Sequence, residues 1–161
     1  MGMVADGNNA FNTGRGLVGC LKSRNVDLAI AVCAAQVLAT LPVPRVAISS
    51  HGWNYDGPVA NVGVLKSVHF AGGMRYDTPV VCDDGQFDVN IWRAAGRLRL
   101  CRLIFGLYRG RFLGSPLAVS HRSESVSVRP QLPRPLELDG DIVLAQSARL
   151  DVLPAALKVC G

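Results

Sequence analysis

Pro79-Val80-Val81-Cys82-Asp83-Asp84-Gly85-Gln86-Phe87-Asp88-Val89 and Leu136-Glu137-Leu138-Asp139-Gly140-Asp141-Ile142-Val143 each set carboxylates at a tight turn between hydrophobic segments. Asp-Gly is a frequent hairpin dipeptide because glycine accepts positive φ. From Phe87 to Trp92 apolar and polar residues alternate, as in a half-buried strand. A turn holds its side chains on a rigid frame yet leaves them at the surface, where they can bind or react. The two turns therefore give both the fold class and the first candidate site.

Outward from them, the same strand pattern recurs. Strands are expected at Arg45 to Ile48, Val59 to Val64, Leu117 to Val119, Ser125 to Val128, Leu136 to Leu138, Ile142 to Ala145 and Leu150 to Leu153. Asn54-Tyr55-Asp56-Gly57 reads as a turn and Gly72-Gly73 as a flexible loop. Pro130, Pro133 and Pro135 make a stiff link before the second acidic turn. Two segments break the pattern. Ile30, Ala34, Val37 and Leu41 fall at helical spacing behind a capping Asp27, with Pro42 and Pro44 ending the helix. A basic amphipathic helix is expected from about Ala94 to Leu107. The predicted fold is mainly β (α+β): a β-sandwich with one or two attached helices. Residues 1–15 are polar and rich in Gly and Asn and read as a loop, leaving 16–161 as one domain.

Composition narrows the function classes. With 49% hydrophobic residues in 161 the chain can bury a core, and a mean hydropathy of +0.25 argues against disorder. A net charge of +5 suits an anionic partner without choosing one. The five cysteines are odd in number and none form a CxxC pair, so a disulfide framework or zinc site is not expected. Met1 to Arg15 has no apolar core of a secretory signal, and Val26 to Leu41 is shorter than the roughly 20 apolar residues that span a bilayer. Both fit a cytoplasmic protein that is at most peripheral to a membrane.

Chemistry has few carriers. Asp83, Asp84 and Asp88 can offer oxygen ligands to a hard cation, and Asp139 or Asp141 can serve as a general base, but either turn taken alone reads first as a plain hairpin with solvated acids. Arg93, Arg97, Arg99, Arg102, Arg109 and Arg111 lie in a stretch without acids, which suits an anionic membrane or a solvated helix face. No nucleic-acid motif or aromatic stacking platform accompanies them, so nucleic acid is not an expected partner. Gly14-Arg15-Gly16-Leu17-Val18-Gly19 matches GxGxxG, but a polar segment stands where a dinucleotide site needs a strand. His51, His69 and His121 are scattered, and no GxSxG or phosphate loop is present.

Taken in order, these pieces resemble the C-terminal domain of the diacylglycerol kinase-like lipid kinases, the family of bacterial lipid kinases and sphingosine kinases. The run begins at Val59-Ala60-Asn61, passes Phe70-Ala71-Gly72-Gly73-Met74 and Pro79, and continues through Asp83-Asp84-Gly85-Gln86-Phe87-Asp88-Val89. The helix of 94–107, the β segment of 117–128, Leu138-Asp139-Gly140-Asp141 and a closing strand at Val152 to Val159 follow. The likeness covers residues 58–160 and is faint over 10–57.

The resemblance implies an ATP-dependent phosphotransferase acting on the hydroxyl of diacylglycerol or a related lipid. It implies Mg²⁺ held by the Asp84 carboxylate and the backbone oxygens of Val81 and Gln86. Asp141 would accept the hydroxyl proton, with Asp139 in support; the family's usual residue there is a glutamate. The family's GGDGT nucleotide motif is absent from this sequence. The resemblance therefore implies that ATP binds only with a separate nucleotide-binding domain, and the expected states are a fragment, half of a split enzyme or a relic. The alternative is a non-catalytic lipid- or protein-binding module. An exposed interdomain surface would also promote homo-oligomers.

Overall fold

In a computed structural model, residues 1–14, 17–71, 73–81, 83–154 and 156 are described. Four helices and ten strands form among them. Helices α1 (Met3–Thr13), α2 (Leu17–Arg24) and α3 (Val26–Thr40) come first. Strands β1 (Arg45–Ser50) and β2 (Trp53–Leu65), the short pair β3 (His69–Phe70) and β4 (Met74–Arg75), and β5 (Phe87–Arg93) follow. Helix α4 (Arg97–Tyr108) precedes β6 (Ala118–Ser123), β7 (Ser125–Pro130), β8 (Arg134–Leu138), β9 (Asp141–Ala145) and β10 (Ala148–Asp151).

The main sheet is antiparallel, with strand order β10-β7-β1-β2-β5-β6. Strand β2 is its hinge. Its first half pairs with β1 and its second with β5, and a register shift between Val59 and Asn61 separates the two. The extra residue bends the strand and breaks its alternation. Val59 and Val62 consequently face one core with Val46, Ile48, Val89, Ile91, Val126 and Val128. Ala60 faces the other core, where Tyr76, Trp92, Leu100, Leu103, Leu107 and Phe112 meet Met3 of α1 and Val37 of α3. Strand β5 is thus buried on both faces: Val89 and Ile91 on one, Asp88, Asn90 and Trp92 on the other. The mainly β, sandwich-type architecture agrees with expectation, with four helices in place of one or two.

Three local readings change. Residues 3–13 are helical rather than a loop. Gly7, Asn8 and Asn9 are poor helix formers, so packing supplies the stability that propensity does not. Met3 and Ala5 are buried, Val4 N donates to Asn61 Oδ1 at 3.2 Å, and Asp6 pairs with Arg134 at 2.8 Å. The cap of α3 is Asn25, whose side chain accepts from Leu28 N at 2.9 Å, with Asp27 in the first turn. Asn54 to Gly57 continues β2, paired with Ser49 to Val46 of β1; the Tyr55 hydroxyl lies 3.1 Å from where a Cβ at Gly57 would stand. The segment before Gly14 is helix, which removes the strand a dinucleotide fingerprint requires; Arg15 and Gly16 lie outside the described residues. So do Gly72, Cys82, Cys160 and, within the expected closing strand, Ala155, Leu157, Lys158 and Val159.

Candidate functional site

The two acidic turns have opposite surroundings. The 79–86 turn runs into β5, so the sheet fixes where its carboxylates stand. Lys66 follows directly on β2, and β2 and β5 are paired up to Leu65 and Asp88. The Lys66 ammonium therefore reaches across to the turn. Its Nζ donates to Asp84 Oδ1 at 2.7 Å, to Val81 O at 2.8 Å and to Gln86 O at 2.9 Å. Gln86 N also donates to Asp84 Oδ1, at 2.9 Å. The other Asp84 oxygen pairs with the Arg122 guanidinium of β6.

Asp88 is buried beside this cluster. Its Oδ2 accepts from Thr78 Oγ1 at 3.5 Å, and its Oδ1 lies 3.7 Å from Arg122 Nε, an ion-pair distance too long for a hydrogen bond. Burial raises its pKa above the ordinary carboxylate value, against the Thr78 hydrogen bond and the Lys66 charge. The three oxygens that the resemblance assigned to Mg²⁺, on Val81, Asp84 and Gln86, are thus brought together, but around an ammonium. They do not fit a resident metal as they stand: Lys66 Nζ holds the position where they converge.

The second turn joins β8 to β9 as a two-residue hairpin. Asp139 has φ 48° and Gly140 φ 98°, the paired positive values of a tight primed turn. Both residues and Asp141 are exposed. Asn8 Nδ2 of α1 donates to Gly140 O at 3.1 Å, tying the hairpin to the first helix.

A cleft of about 660 Å³ opens between this hairpin and the end of β2. Its apolar wall includes Val62, Val64, Leu65, Phe70, Leu136 and Leu150, and its polar positions include Lys66, His69, Glu137 and Asp139. Asp139 lines it; Asp84 approaches only through Lys66, and Asp141 stands outside the lining. Sequence reasoning missed Lys66 and Glu137. Glu137 is half-buried in β8, and its place between Leu136 and Leu138 is the only sequence signal for it.

The basic stretch divides by role. Leu100, Leu103 and Leu107 bury the core face of α4. Arg97 donates to Leu38 O at 3.2 Å and Ala39 O at 2.6 Å, where it neutralises the C-terminal end of α3. Arg109 lies over the Phe105 ring at 4.2 Å. Arg99, Arg102 and Arg111 are exposed alongside Leu98, Phe105 and Tyr108. No helix among the described residues is long and apolar enough to cross a membrane.

Residues 2–161 match the family described as the YegS C-terminal NAD kinase beta sandwich-like domain. That match reaches well before residue 58, where the ordered motifs become legible. A diacylglycerol kinase from Bacillus anthracis str. Sterne has a similar fold, with a TM-score of 0.55 and 18% identity over 74% of this chain and 43% of its own. Two candidate diacylglycerol kinases from the same organism give TM-scores of 0.57 and 0.56 at 18% and 20% identity, over 75% and 76% of this chain. The chain spans 43% and 42% of their lengths. At these identities the likeness shows the fold. No curated protein matches the sequence.

Proposed function

The chain belongs to the YegS C-terminal NAD kinase beta sandwich-like domain family, and on that premise we propose that it is the lipid-substrate domain of an ATP-dependent lipid kinase. The observation that carries this reading is the cleft. Its lining is largely apolar, as a lipid chain requires, and includes the carboxylates of Glu137 and Asp139, as a hydroxyl nucleophile requires. In the proposed reaction the lipid hydroxyl oxygen attacks the terminal phosphorus of ATP, its proton passes to a carboxylate, and ADP leaves. This chemistry depends chiefly on positioning. The β8–β9 hairpin supplies the candidate acceptors: Asp141, supported by Asp139, with Glu137 deeper in the cleft. A separate nucleotide-binding domain brings the ATP. The exposed face of α4, with Arg99 and Arg102 among Leu98, Phe105 and Tyr108, and Arg111 just beyond it, would rest on an anionic membrane from which the lipid is taken.

One observation favours a second reading, a lipid-binding module without transfer: Lys66 and Arg122 already neutralise the first acidic turn. A phosphotransfer assay separates the two. ATP, Mg²⁺ and mixed diacylglycerol and sphingoid lipids are supplied to the chain alone and together with the nucleotide-binding half of a related kinase. Phospholipid product only in the mixture supports the kinase reading. Retention of the folded chain on lipid vesicles without product in either arm supports the binding module.

A further inference from the structure

We propose that Lys66 is the resident cation of the 81–86 turn, so that this domain holds its acidic turn without a divalent metal. An ammonium has three N–H donors, and all three are used, on Val81 O, Asp84 Oδ1 and Gln86 O at 2.7–2.9 Å. These are the lengths of charge-assisted hydrogen bonds. Mg²⁺ would need its oxygens at about 2.0–2.1 Å in octahedral array, with Nζ expelled from the centre.

The charges agree with the distances. Asp84 and Asp88 face Lys66 and Arg122, so two carboxylates meet two cations. The side chains of Asp84 and Lys66 are 19% and 28% exposed, so the pair is only weakly screened. A metal entering this cluster would find both Asp84 and Asp88 already facing cations, with only the exposed Asp83 beside them. Lys66 is also tethered at the end of β2, so its presence at the turn does not depend on any ion concentration.

Position gives the ammonium a second consequence. Lys66 lines the cleft while binding the turn. The turn thus acts as a brace for the cleft wall, with its own counter-charge built into the chain. This inference does not rest on the lipid substrate, and its test reads no activity.

The chain is melted in EDTA and in 10 mM MgCl₂, about the concentration at which millimolar sites fill, at matched ionic strength. The wild type is expected to melt within about 1 °C in both, and Lys66→Ala to melt about 5 °C lower or more. A rise of about 3 °C or more in the wild type with MgCl₂ would overturn the proposal, as would a Lys66→Ala protein that melts with the wild type. Should Lys66→Ala not fold, a titration of the wild type with Mn²⁺ followed by electron paramagnetic resonance decides. Free Mn²⁺, or binding undiminished by Asp84→Asn, leaves the turn to Lys66. One Mn²⁺ per chain that Asp84→Asn abolishes overturns it.

Discussion

Asp84-Gly85 and Asp139-Gly140 are the same dipeptide in two turns of one sandwich, and they are built for different work. Around Asp84, the turn is closed by Lys66, Arg122 and the Gln86 amide. Around Asp139 the positive φ values of the backbone make the turn, Asn8 ties it to α1, and the carboxylates face solvent. The difference comes from what lies opposite. The first turn leads into a strand buried on both faces, so its charges must be paired. The second sits at the tip of a separate two-stranded sheet, where water satisfies them. A half-buried carboxylate held between two cations is a poor proton acceptor for a substrate; an exposed one at a cleft rim is free to be one. The dipeptide therefore specifies a turn, and its neighbours decide between support and chemistry.

The sharpest separation should appear in activity. With the nucleotide-binding half supplied, Asp141→Ala is expected to lower turnover by about 10²- to 10⁴-fold, the range for loss of a general base. Its urea midpoint should correspond to a stability change within about 0.5 kcal/mol, as for an exposed site. Asp139→Ala should cost less turnover than Asp141→Ala. If Glu137→Gln alone silences transfer while Asp141→Ala does not, the proton acceptor is Glu137, inside the cleft.

The next effect falls on the first turn and on stability. Asp84→Ala takes the carboxylate from between the Lys66 ammonium and the Arg122 guanidinium, both partly buried, leaving Lys66 its two carbonyls and Arg122 the more distant Asp88. A loss of about 2–3 kcal/mol is expected in urea unfolding. Equal midpoints for Asp84→Ala and Asp141→Ala would erase the contrast between the turns.

A smaller loss belongs to the hairpin backbone. Gly140 holds φ 98°, a value that L side chains rarely adopt. Gly140→Ala should cost about 1–2 kcal/mol even though no atom lies within 4 Å of the new Cβ. Asp139→Asn should be neutral or mildly stabilising, since Asn-Gly suits the same turn. A stable Gly140→Ala together with a destabilised Asp139→Asn would show that side-chain contacts, rather than backbone geometry, make this turn.

How much of this was legible in the sequence follows from the range of the interactions. The β5 and β8–β9 segments were readable because alternation and Asp-Gly are local signals. Helix α1 was not, because its support comes from Asn61, Arg134 and the β8–β9 hairpin, far along the chain. Pairing of Asn54 to Gly57 with β1 made a strand out of an apparent turn, a choice set by tertiary context rather than propensity. At the site, the oxygens of Val81, Asp84 and Gln86 do converge, but nothing near them in sequence announces Lys66, which is separated from them by 15 to 20 residues. Only the β2–β5 register brings it there. Glu137 was hidden for the opposite reason: alternation marks a strand but does not say which face a cleft will open on.

The smallest effect concerns Asp88, and its sign separates the closed turn from the open one. Burial raises the Asp88 pKa in the folded chain above 3.8, with the Thr78 hydrogen bond and Lys66 opposing. The folded state then binds this proton more tightly than the unfolded state does. The stabilising contribution is complete below 3.8 and is lost as pH rises through the folded value. Asp88→Asn keeps a polar partner for Thr78 but cannot titrate. Relative to the wild type, the variant should therefore be at its best near pH 7 and fall behind as pH is lowered toward 4. The comparison is read from urea midpoints at each pH. The effect should be modest, because the Thr78 hydrogen bond and the Lys66 charge oppose the burial penalty. A wild type that instead loses ground to Asp88→Asn on acidification would mean that the partners outweigh burial, with Asp88 held ionised by Lys66 and Arg122.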